Sequence, residues 1–361
     1  MSELSPRRRV PPGGSRPGPR PNLPLIGLML GDPTGIGPEQ CARVLADGRL
    51  ADAARFLVVG DSRVLAQGAR DAGVTLDLRR DGVEFFELGN VDPSGLQRGA
   101  ISADSGRLAG ETLKVLVDLA LDGKVDGICF APLNKAALHA GGWKFNDEHQ
   151  MFAHLTHHEG FFGEMNVLDD LWMSRVTSHV SLRTALDQIT PKRIDEALTL
   201  ADRTMRGAGI ANPRIAVCAL NPHGGENGLF GREEIDVIAP AVASAAARGI
   251  GCRGPYPSDT VFLKAFNGEF DGVLSMYHDQ GQIATKLKGF NRGVTVTAGL
   301  RTVFTTPAHG TAFDIVGKGV ATTGALEQAV RLCARLAAHR RSGSSPRQSG
   351  SRGGNPVDAL Q

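Results

Sequence analysis

Short apolar runs alternate with longer amphipathic segments along most of the chain. The short runs end mostly in Gly, Pro, Asp or Asn, which is typical of strands, and the longer segments carry apolar residues three and four apart, which is typical of helices. This alternation predicts an α/β fold with a largely parallel sheet, in which ligands collect at the carboxyl ends of strands. The candidate strands are LPLIGLML, ARFLVVGD, VDGICFAP, RIAVCALNP, FDGVLSMYHD and GVTVTAG, and the clearest candidate helices are RLAGETLKVLVDLALDG and PKRIDEALTLADRTMRGAG.

The two ends of the chain differ from its middle. Residues 1–22 are rich in Pro, Gly and Arg, and residues 341–361 are rich in Ser, Gly and Arg. Such segments bury too little apolar surface to offset the entropy of ordering them. We therefore expect two disordered tails, the first of them basic, around a folded part of roughly 23–340.

Composition narrows the class of protein. The chain has 361 residues, of which 41% are hydrophobic and 22% charged, and its net charge is +2. This balance is ordinary for a globular protein and gives no reason to expect nucleic acid or a membrane as a partner. No apolar run approaches the ~20 residues of a membrane span. Five scattered cysteines without a CxxC pair fit a reducing compartment, so a cytoplasmic protein is expected.

Three histidines occupy loop or strand-end positions in polar surroundings: His179, His223 and His278. Neutral imidazole is a common ligand of divalent metals, and three protein ligands with one open position are the usual plan of a catalytic site. Asp259 and Asp279 could be further ligands or could orient a histidine. Loop caps and ordinary surface histidines would give the same pattern, so spacing alone does not decide between these alternatives.

Three other segments admit both a structural and a chemical role. GDPTGIGPE is either a tight turn that starts a helix or a contact to substrate or cofactor, and it lacks the signature of a phosphate-binding loop or a Rossmann fingerprint. Lys286, in the stretch KLKGFNRGV, could bind a carboxylate or phosphate or carry a proton, or it could simply be solvated. HGTAFDIVGKG is a glycine-rich loop of undecided role.

Six motifs occur in an order that resembles a known family. GDPTGIGPE, NPHGGENG, DTVF, YHDQG, KGFNRGV and HGTAFDI, spread from about Leu25 to Leu336, resemble the 4-hydroxythreonine-4-phosphate dehydrogenase family of pyridoxine biosynthesis. The resemblance implies the fold of isocitrate and isopropylmalate dehydrogenases, with two α/β domains around a central cleft and no Rossmann domain. The first domain, on the NAD side, would comprise 23–130 plus 300–340, and the second, on the metal and dimer side, 131–299.

The resemblance also implies a site. His179, His223 and His278 would bind a divalent metal (Zn, Mg, Mn or Co), with His278 reaching across from the partner subunit of a homodimer that shares its active sites. Lys286 would bind the substrate and help manage a proton, with Asp259 and Asp279 close to the metal as further catalytic residues. The loop of His309, Gly310, Thr311, Ala312 and Asp314 would bind NAD, with NADP possible. The implied reaction oxidises a secondary alcohol β to a carboxylate and releases carbon dioxide.

The chain departs from the family at the expected substrate end. Many members carry Gly-His-Thr-Glu where this chain has Asn146-Asp147-Glu148-His149, and they have asparagine at Thr295 and arginine at Phe304. The expected substrate contacts are Glu148, His149, Thr295, Lys286 and Arg301, with Arg301 as a candidate replacement for the missing arginine.

These departures leave the substrate open. One alternative is a phosphorylated four-carbon hydroxy acid, such as 4-hydroxythreonine 4-phosphate or a threonate or erythronate phosphate. A second is a cis-dihydrodiol carboxylate of the terephthalate type. A third reading, of another class, is a non-catalytic regulatory protein that binds metal and NAD. Carboxylates near the phosphate position predict weak use of 4-hydroxythreonine 4-phosphate.

Overall fold

The computed structural model describes residues 22–78, 81–90, 92–289 and 292–343. Almost all of the two predicted tails, and Phe290 and Asn291 of the KGFNRGV motif, lie outside the described residues. The described part folds into one mixed α/β body, which confirms the predicted fold class.

Eleven strands of the described residues form one continuous sheet, in the order β3-β2-β1-β4-β11-β10-β5-β6-β9-β7-β8. All six strands predicted from the sequence are present, and the other five were missed. The strands are β1 Leu25–Met29, β2 Arg55–Gly60, β3 Val83–Glu87, β4 Gly127–Phe130, β5 Gly163–Leu168, β6 Leu171–Arg175, β7 Ile215–Cys218, β8 Cys252–Tyr256, β9 Gly272–Ser275, β10 Val294–Ala298 and β11 Phe304–Pro307.

The sheet is parallel at both ends and antiparallel in the middle. β3, β2, β1, β4 and β11 run parallel, as do β6, β9, β7 and β8, whereas β11–β10, β10–β5 and β5–β6 pair antiparallel. A two-residue turn at Asp169, which has a φ of 53°, joins β5 to β6 and allows the antiparallel pairing. The strand direction therefore reverses at β11–β10, so β4 and β11 point their carboxyl ends opposite to those of β6 and β9.

Both predicted helices are confirmed, and their ends follow capping chemistry. Ser102 caps the first by accepting from Ser105 N, and Thr190 caps the second by accepting from Arg193 N. The helices are α1 Gly37–Asp47, α2 Ser62–Ala72, α3 Ala103–Leu121, α4 Lys135–Ala140, α5 Glu148–Leu155, α6 Leu182–Gln188, α7 Pro191–Gly207, α8 Ala239–Ala247, α9 Ser258–Phe266, α10 His278–Gly289 and α11 Gly324–Gly343.

The core lies on both faces of the sheet. The long helix α11 packs against β1, β4, β10 and β11, so the end of the described chain closes the core around its first strands. All five cysteines are free and buried. No helix of the described residues has the length and apolar character needed to cross a bilayer. Because the eleven strands form one sheet, the division into 23–130 plus 300–340 and 131–299 stays a prediction.

Candidate active site

A cavity of about 300 Å³ lies over the antiparallel strands β5 and β10. The carboxyl ends of β4 and β11 reach it from one side, and the segments that follow β6 and β9 reach it from the other. Side chains of alternate strand residues, such as Glu164, Asn166 and Thr295, face it because successive residues of a strand point to opposite faces. Polar groups from several segments that are distant in sequence therefore meet where the strand direction reverses.

Two of the three candidate metal histidines meet in this cavity. The ring centroids of His179 and His278 are 5.5 Å apart, and both side chains are about one third exposed, at 31% and 34%. Asp147 Oδ2 lies 2.6 Å from His179 Nδ1, and Asp279 Oδ1 lies 2.7 Å from His278 Nδ1. A carboxylate on Nδ1 fixes the ring and directs Nε2 outward, which is the usual arrangement behind a metal-binding histidine.

Local structure places each partner of these histidines. Asp147 is the N-cap of α5, where its Oδ1 accepts from Gln150 N at 2.8 Å while its Oδ2 holds His179. His278 is the first residue of α10 and follows β9 after only two residues, so the strand end brings it to the cavity. The sequence predicted His179, His278 and Asp279 as site residues, but it treated Asp147 only as an acid near the expected phosphate position and not as a partner of His179.

His223 is not brought to this cavity within one chain. It lies in the turn Pro222–Gly228, where six residues in a row, His223 to Gly228, have positive φ, and its ring centroid is 6.3 Å from that of Phe230. Within the described residues, no group of three or more His, Cys, Asp and Glu side chains is arranged to hold a metal ion. The family resemblance implied that His278 comes from the partner subunit. Within one chain, however, His278 lies beside His179, and His223 lies outside the cavity.

Glu234 anchors the turn that carries His223. Its Oε1 accepts from the backbone N–H groups of Leu220 and Asn221 at 2.8 and 2.7 Å, and its Oε2 accepts from Asn221 Nδ2 at 2.9 Å. Burial alone would raise the pKa of Glu234, but the hydrogen bonds from Asn221 and Leu220 outweigh it and lower this pKa. Gly225 is required beside it, because a Cβ there would lie 2.6 Å from Glu234 Oε2. Glu234 was missed, since only an unremarkable acidic stretch marks it in the sequence.

A buried polar network forms the floor of the cavity. His149 Nδ1 lies 2.6 Å from Thr297 Oγ1, and His149 Nε2 lies 3.4 Å from Glu164 Oε2, whose other oxygen is 3.5 Å from Arg175. Burial opposes charge on both members of the pair. Nevertheless, Arg175 and His149 hold the pKa of Glu164 well below its usual range, and Glu164 raises the pKa of His149. Asn166 donates to Glu164 and contacts Arg175.

The candidate substrate residues fall into three groups. Glu148, Thr295 and Lys286 line the cavity, and Glu148 Oε2 is 3.2 Å from Lys135 Nζ, a cation that the sequence did not single out. His149 lies just beneath, in the buried network. Arg301 is exposed and, within one chain, lines a different groove between α7, the end of α11 and the connection from β10 to β11.

Asp259 and Asp279 line a surface groove between α9 and α10 rather than the cavity. Both are exposed, and Asp279 reaches the site only through its bond to His278. The apolar side chains Leu263, Ile283 and Leu287 line the same groove and are exposed. Of the two aspartates, only Asp279 contacts a candidate metal ligand.

The loop expected to bind NAD borders the cavity. His309 and Gly310 line it, and the loop packs on the turn of the GDPTGIGPE motif, where Ile36 N donates to Thr311 O at 3.1 Å. Gly35 is needed at this contact because a Cβ there would lie 2.9 Å from Thr311 Cβ. The next residue, Ala312, has a φ of 44°, and Asp314 follows in a short 3₁₀ turn. Two motifs that the sequence left undecided thus form one structure.

Comparisons with known proteins identify similar sequences over most of the chain. The family model described as pyridoxal phosphate biosynthetic protein PdxA matches residues 52–333. A Pseudomonas aeruginosa protein provisionally named 4-hydroxythreonine-4-phosphate dehydrogenase 2 is 46% identical, over 89% of this chain and 99% of its own. The D-threonate 4-phosphate dehydrogenase of Cupriavidus necator is 44% identical, over 88% and 98%.

Several solved structures superpose on most of the chain. A 4-hydroxythreonine-4-phosphate dehydrogenase from Burkholderia phymatum superposes with a TM-score of 0.72 at 40% identity, covering 87% of this chain and 98% of its own. A terephthalate 1,2-cis-dihydrodiol dehydrogenase from Burkholderia xenovorans does so at 0.63 and 26%, covering 86% and 98%. A β-decarboxylating dehydrogenase from Thermococcus kodakarensis, at 0.50 and 14% over 85% and 82%, shares the fold.

Proposed function

The chain belongs to the pyridoxal phosphate biosynthetic protein PdxA family, and from that premise we propose that it is a dehydrogenase that oxidises the CH–OH group of a small hydroxy acid. One observation carries the proposal. His179 and His278, each held by a carboxylate, face a cavity that Lys286 and the loop at His309 also line. Catalytic, anion-binding and cofactor-binding candidates thus share one cavity.

We propose that the histidines bind a divalent metal. The donor set fits, because the carboxylates of Asp147 and Asp279 occupy the Nδ1 atoms of His179 and His278 and leave two Nε2 atoms for an ion. A third nitrogen would come from His223 of a second copy of the chain. Once bound, the metal supplies Lewis acidity that makes the substrate hydroxyl easier to deprotonate.

The loop of His309, Gly310, Thr311, Ala312 and Asp314 would hold a nicotinamide cofactor, NAD or NADP. Its shape fits this role, because Gly310 borders the cavity and a Cβ on it would meet nothing within 4 Å, which leaves room for a ligand. NAD supplies the acceptor of the hydride when it is bound. Gln40 Nε2, 3.3 Å from His309 Nε2, steadies the ring at the cavity edge.

The chain's own residues bind and orient the substrate. Lys286 brings positive charge to the cavity wall, where it attracts the carboxylate or phosphate of an acidic substrate, while Lys135 offsets the charge of Glu148. The oxidation removes a hydride and a proton from the CH–OH group, and Lys286, which lines the cavity, would relay the proton outward through water. When the alcohol is β to a carboxylate, the product is a β-keto acid, which then loses carbon dioxide.

A phosphorylated four-carbon hydroxy acid, of the 4-hydroxythreonine-4-phosphate type, is the proposed substrate class. The cavity volume of about 300 Å³ suits a molecule of this size. The two carboxylates that depart from the family pattern are both engaged, Asp147 by His179 and Glu148 by Lys135, so they repel a phosphate less than free carboxylates would. A cis-dihydrodiol carboxylate is the second candidate, favoured by the dihydrodiol dehydrogenase among the similar structures.

We propose a homodimer in which each site uses histidines of both copies. Exposed apolar side chains follow each of the three histidines in sequence, which marks a surface that a second copy can cover. These side chains are Val180, Leu182 and Leu186 after His179; Leu229, Phe230 and Ile235 after His223; and Ile283 and Leu287 after His278.

An activity panel tests the proposal. The purified chain is supplied with NAD or NADP, with and without a divalent metal, and with threonate, erythronate and 4-hydroxythreonine phosphates and a cis-dihydrodiol acid. We expect reduced cofactor to form with a phosphorylated acid, to require metal, and to fall at least tenfold in Lys286→Ala. The exposed Lys124→Ala serves as the matched control and should keep full activity. If no acid yields reduced cofactor from metal-loaded protein, the chain is the non-catalytic binding protein instead.

A further inference from the structure

Glu164 is a deeply buried carboxylate in the floor of the candidate active-site cavity. Its side chain is 11% exposed and reaches the cavity from β5. An ionised carboxylate at this depth is costly unless hydrogen bonds and opposite charges surround it. The partners of its two oxygens therefore decide what Glu164 can bind.

The first oxygen, Oε1, is engaged beneath the floor. Asn166 Nδ2 donates to it at 3.0 Å, and Arg175 Nη2 lies 3.5 Å away. The Arg175 side chain is 4% exposed, contacts Asn166 as well, and is not one of the residues that line the cavity. Asn166 and Arg175 thus fix the orientation of the carboxylate, and the guanidinium balances its charge.

The second oxygen, Oε2, faces the cavity. Among the described residues, the one donor within hydrogen-bond reach of it is His149 Nε2, at 3.4 Å. His179 Nε2 lies 4.0 Å from Oε2, which is too long for a hydrogen bond, and the other ring nitrogen of His179 already contacts Asp147. Because a carboxylate oxygen accepts two hydrogen bonds, Oε2 keeps one acceptor position beside the nitrogen that His179 turns to the cavity.

The chemistry of this acceptor position limits what can occupy it. An ionised carboxylate has no proton to donate, so a phosphate or a second carboxylate would be repelled. An ammonium group would donate, but it would place a second buried cation near Arg175 with one carboxylate to compensate both. A hydroxyl donates without adding charge. Oε2 of Glu164 therefore suits a hydroxyl of the ligand.

We propose that Glu164 determines substrate specificity by accepting a hydrogen bond from a hydroxyl on the carbon next to the one that is oxidised. This role rests on the proposed function, which brings the reacting alcohol to the Nε2 atoms of His179 and His278. Because Oε2 is 4.0 Å from His179 Nε2, it meets a group attached one carbon away from that alcohol. In a four-carbon acid phosphate, one neighbouring carbon carries the phosphate, which Glu164 repels. The other, beside the carboxyl group, carries the substituent that Glu164 contacts.

Three phosphorylated acids that differ only at this carbon test the inference. They share the configuration of the reacting carbon and carry a hydroxyl (threonate 4-phosphate), an ammonium (4-hydroxythreonine 4-phosphate) or a hydrogen (3-hydroxybutanoate 4-phosphate) beside the carboxyl group. With the full metal-loaded chain and its nicotinamide cofactor, kcat/KM for the hydroxy acid should exceed that for the deoxy acid by roughly 10- to 100-fold, because the deoxy acid leaves Oε2 unpaired. It should exceed that for the amino acid by about tenfold or more.

The variant Glu164→Gln tests the residue itself. Asn166 and Arg175 both donate toward the Oε1 position, so the amide oxygen of glutamine takes that side and the amide N–H groups face the cavity. An acceptor becomes a donor, and the ratio of kcat/KM between the hydroxy and deoxy acids should fall to within about threefold. Glu148→Gln, which changes another carboxylate that lines the cavity, should keep the native ratio. Each ratio is taken within one preparation, so a smaller folded fraction does not affect it.

Calorimetric binding of the same acids without cofactor separates a failure of this inference from a failure of the proposed function. The dissociation constants of the hydroxy and deoxy acids should differ by roughly 10- to 100-fold in the native chain and converge in Glu164→Gln. If no acid yields reduced cofactor, the proposed function fails, and these constants still decide the role of Glu164.

Three results would overturn the inference. Equal kcat/KM values, or equal dissociation constants, for the hydroxy and deoxy acids with the native chain would mean that Glu164 does not distinguish the substituent, although turnover would uphold the proposed function. A preference for the amino acid would mean that Glu164 recognises a cation. A native ratio in Glu164→Gln would mean that a different residue recognises the hydroxyl.

Discussion

Asp147 both caps α5 and orients His179, and two substitutions can separate these roles. One carboxylate oxygen caps α5 and the other holds His179 Nδ1 at 2.6 Å. Asp147→Asn keeps an oxygen for the cap but replaces the carboxylate behind the histidine, whereas Asp147→Ala removes both. Loss of such a carboxylate typically weakens metal binding by about 10- to 100-fold. Loss of an N-cap typically costs about 1 kcal/mol of stability.

We therefore expect both variants to bind zinc about 10- to 100-fold more weakly than the native chain, but only Asp147→Ala to lose about 1 kcal/mol of unfolding free energy without metal. Zinc affinity is measured by competition with a chelator, and stability by urea unfolding after chelation. Thr190→Ala, which removes the cap of α7, is the control that should lose stability and keep zinc affinity. Native zinc affinity in Asp147→Asn would refute the reasoning, as would equal destabilisation of the two Asp147 variants.

Three further predictions follow from the same contacts. Mixing His223→Ala with His278→Ala should restore up to about a quarter of native activity through heterodimers. Mixing His179→Ala with His278→Ala should restore none, since one chain supplies both; activity there would mean that His278 crosses the interface instead. The variant Glu234→Gln should have a free energy of unfolding roughly 1 to 2 kcal/mol below that of the native chain near neutral pH, measured by urea unfolding. Because the fold lowers the pKa of Glu234, this difference in stability should vanish as the pH falls through the pKa that Glu234 has in the folded protein. A loss of stability that does not change with pH would contradict the role of Glu234 as an anchor of the turn. Arg301→Ala should leave kcat/KM for a phosphorylated substrate within about twofold, because it lies outside the cavity, and a tenfold fall would contradict that placement.

Strands that are apolar throughout could be predicted, as could β10 with its alternating pattern, whereas β5 and β6, which carry charged residues of the site, could not. β1, β4 and β9 are runs of buried apolar residues, as parallel strands usually are. β5 and β6 interrupt that pattern with Glu164, Asn166 and Arg175, which are buried because they bond one another beneath the cavity. A polar residue at an inward position weakens the alternating or apolar pattern by which a strand is recognised, so β5 and β6 could not be predicted from the sequence.

Contacts between segments that are distant in sequence could not be predicted either. Asp147 and His179 are 32 positions apart, and nothing in either segment marks them as partners. The histidines themselves were recognisable by their surroundings and by the family resemblance. Their grouping was not, because it depends on which strand ends meet and on whether a second copy is present.

The position of β11 and α11 has a consequence for the order in which the chain can fold during synthesis. β11 pairs with β4, and α11 covers β1, β4 and β10, yet both are made only after the chain has passed through residues 131–299. The edge of β4 that pairs with β11 therefore stays open while nearly half of the protein is translated, and the faces of β1 and β4 that α11 covers stay open longer still, a period in which an open edge can pair wrongly. A ribosome stalled before Phe304 should hold strands β1 to β4 in a protease-sensitive state, and release of α11 should make them resistant.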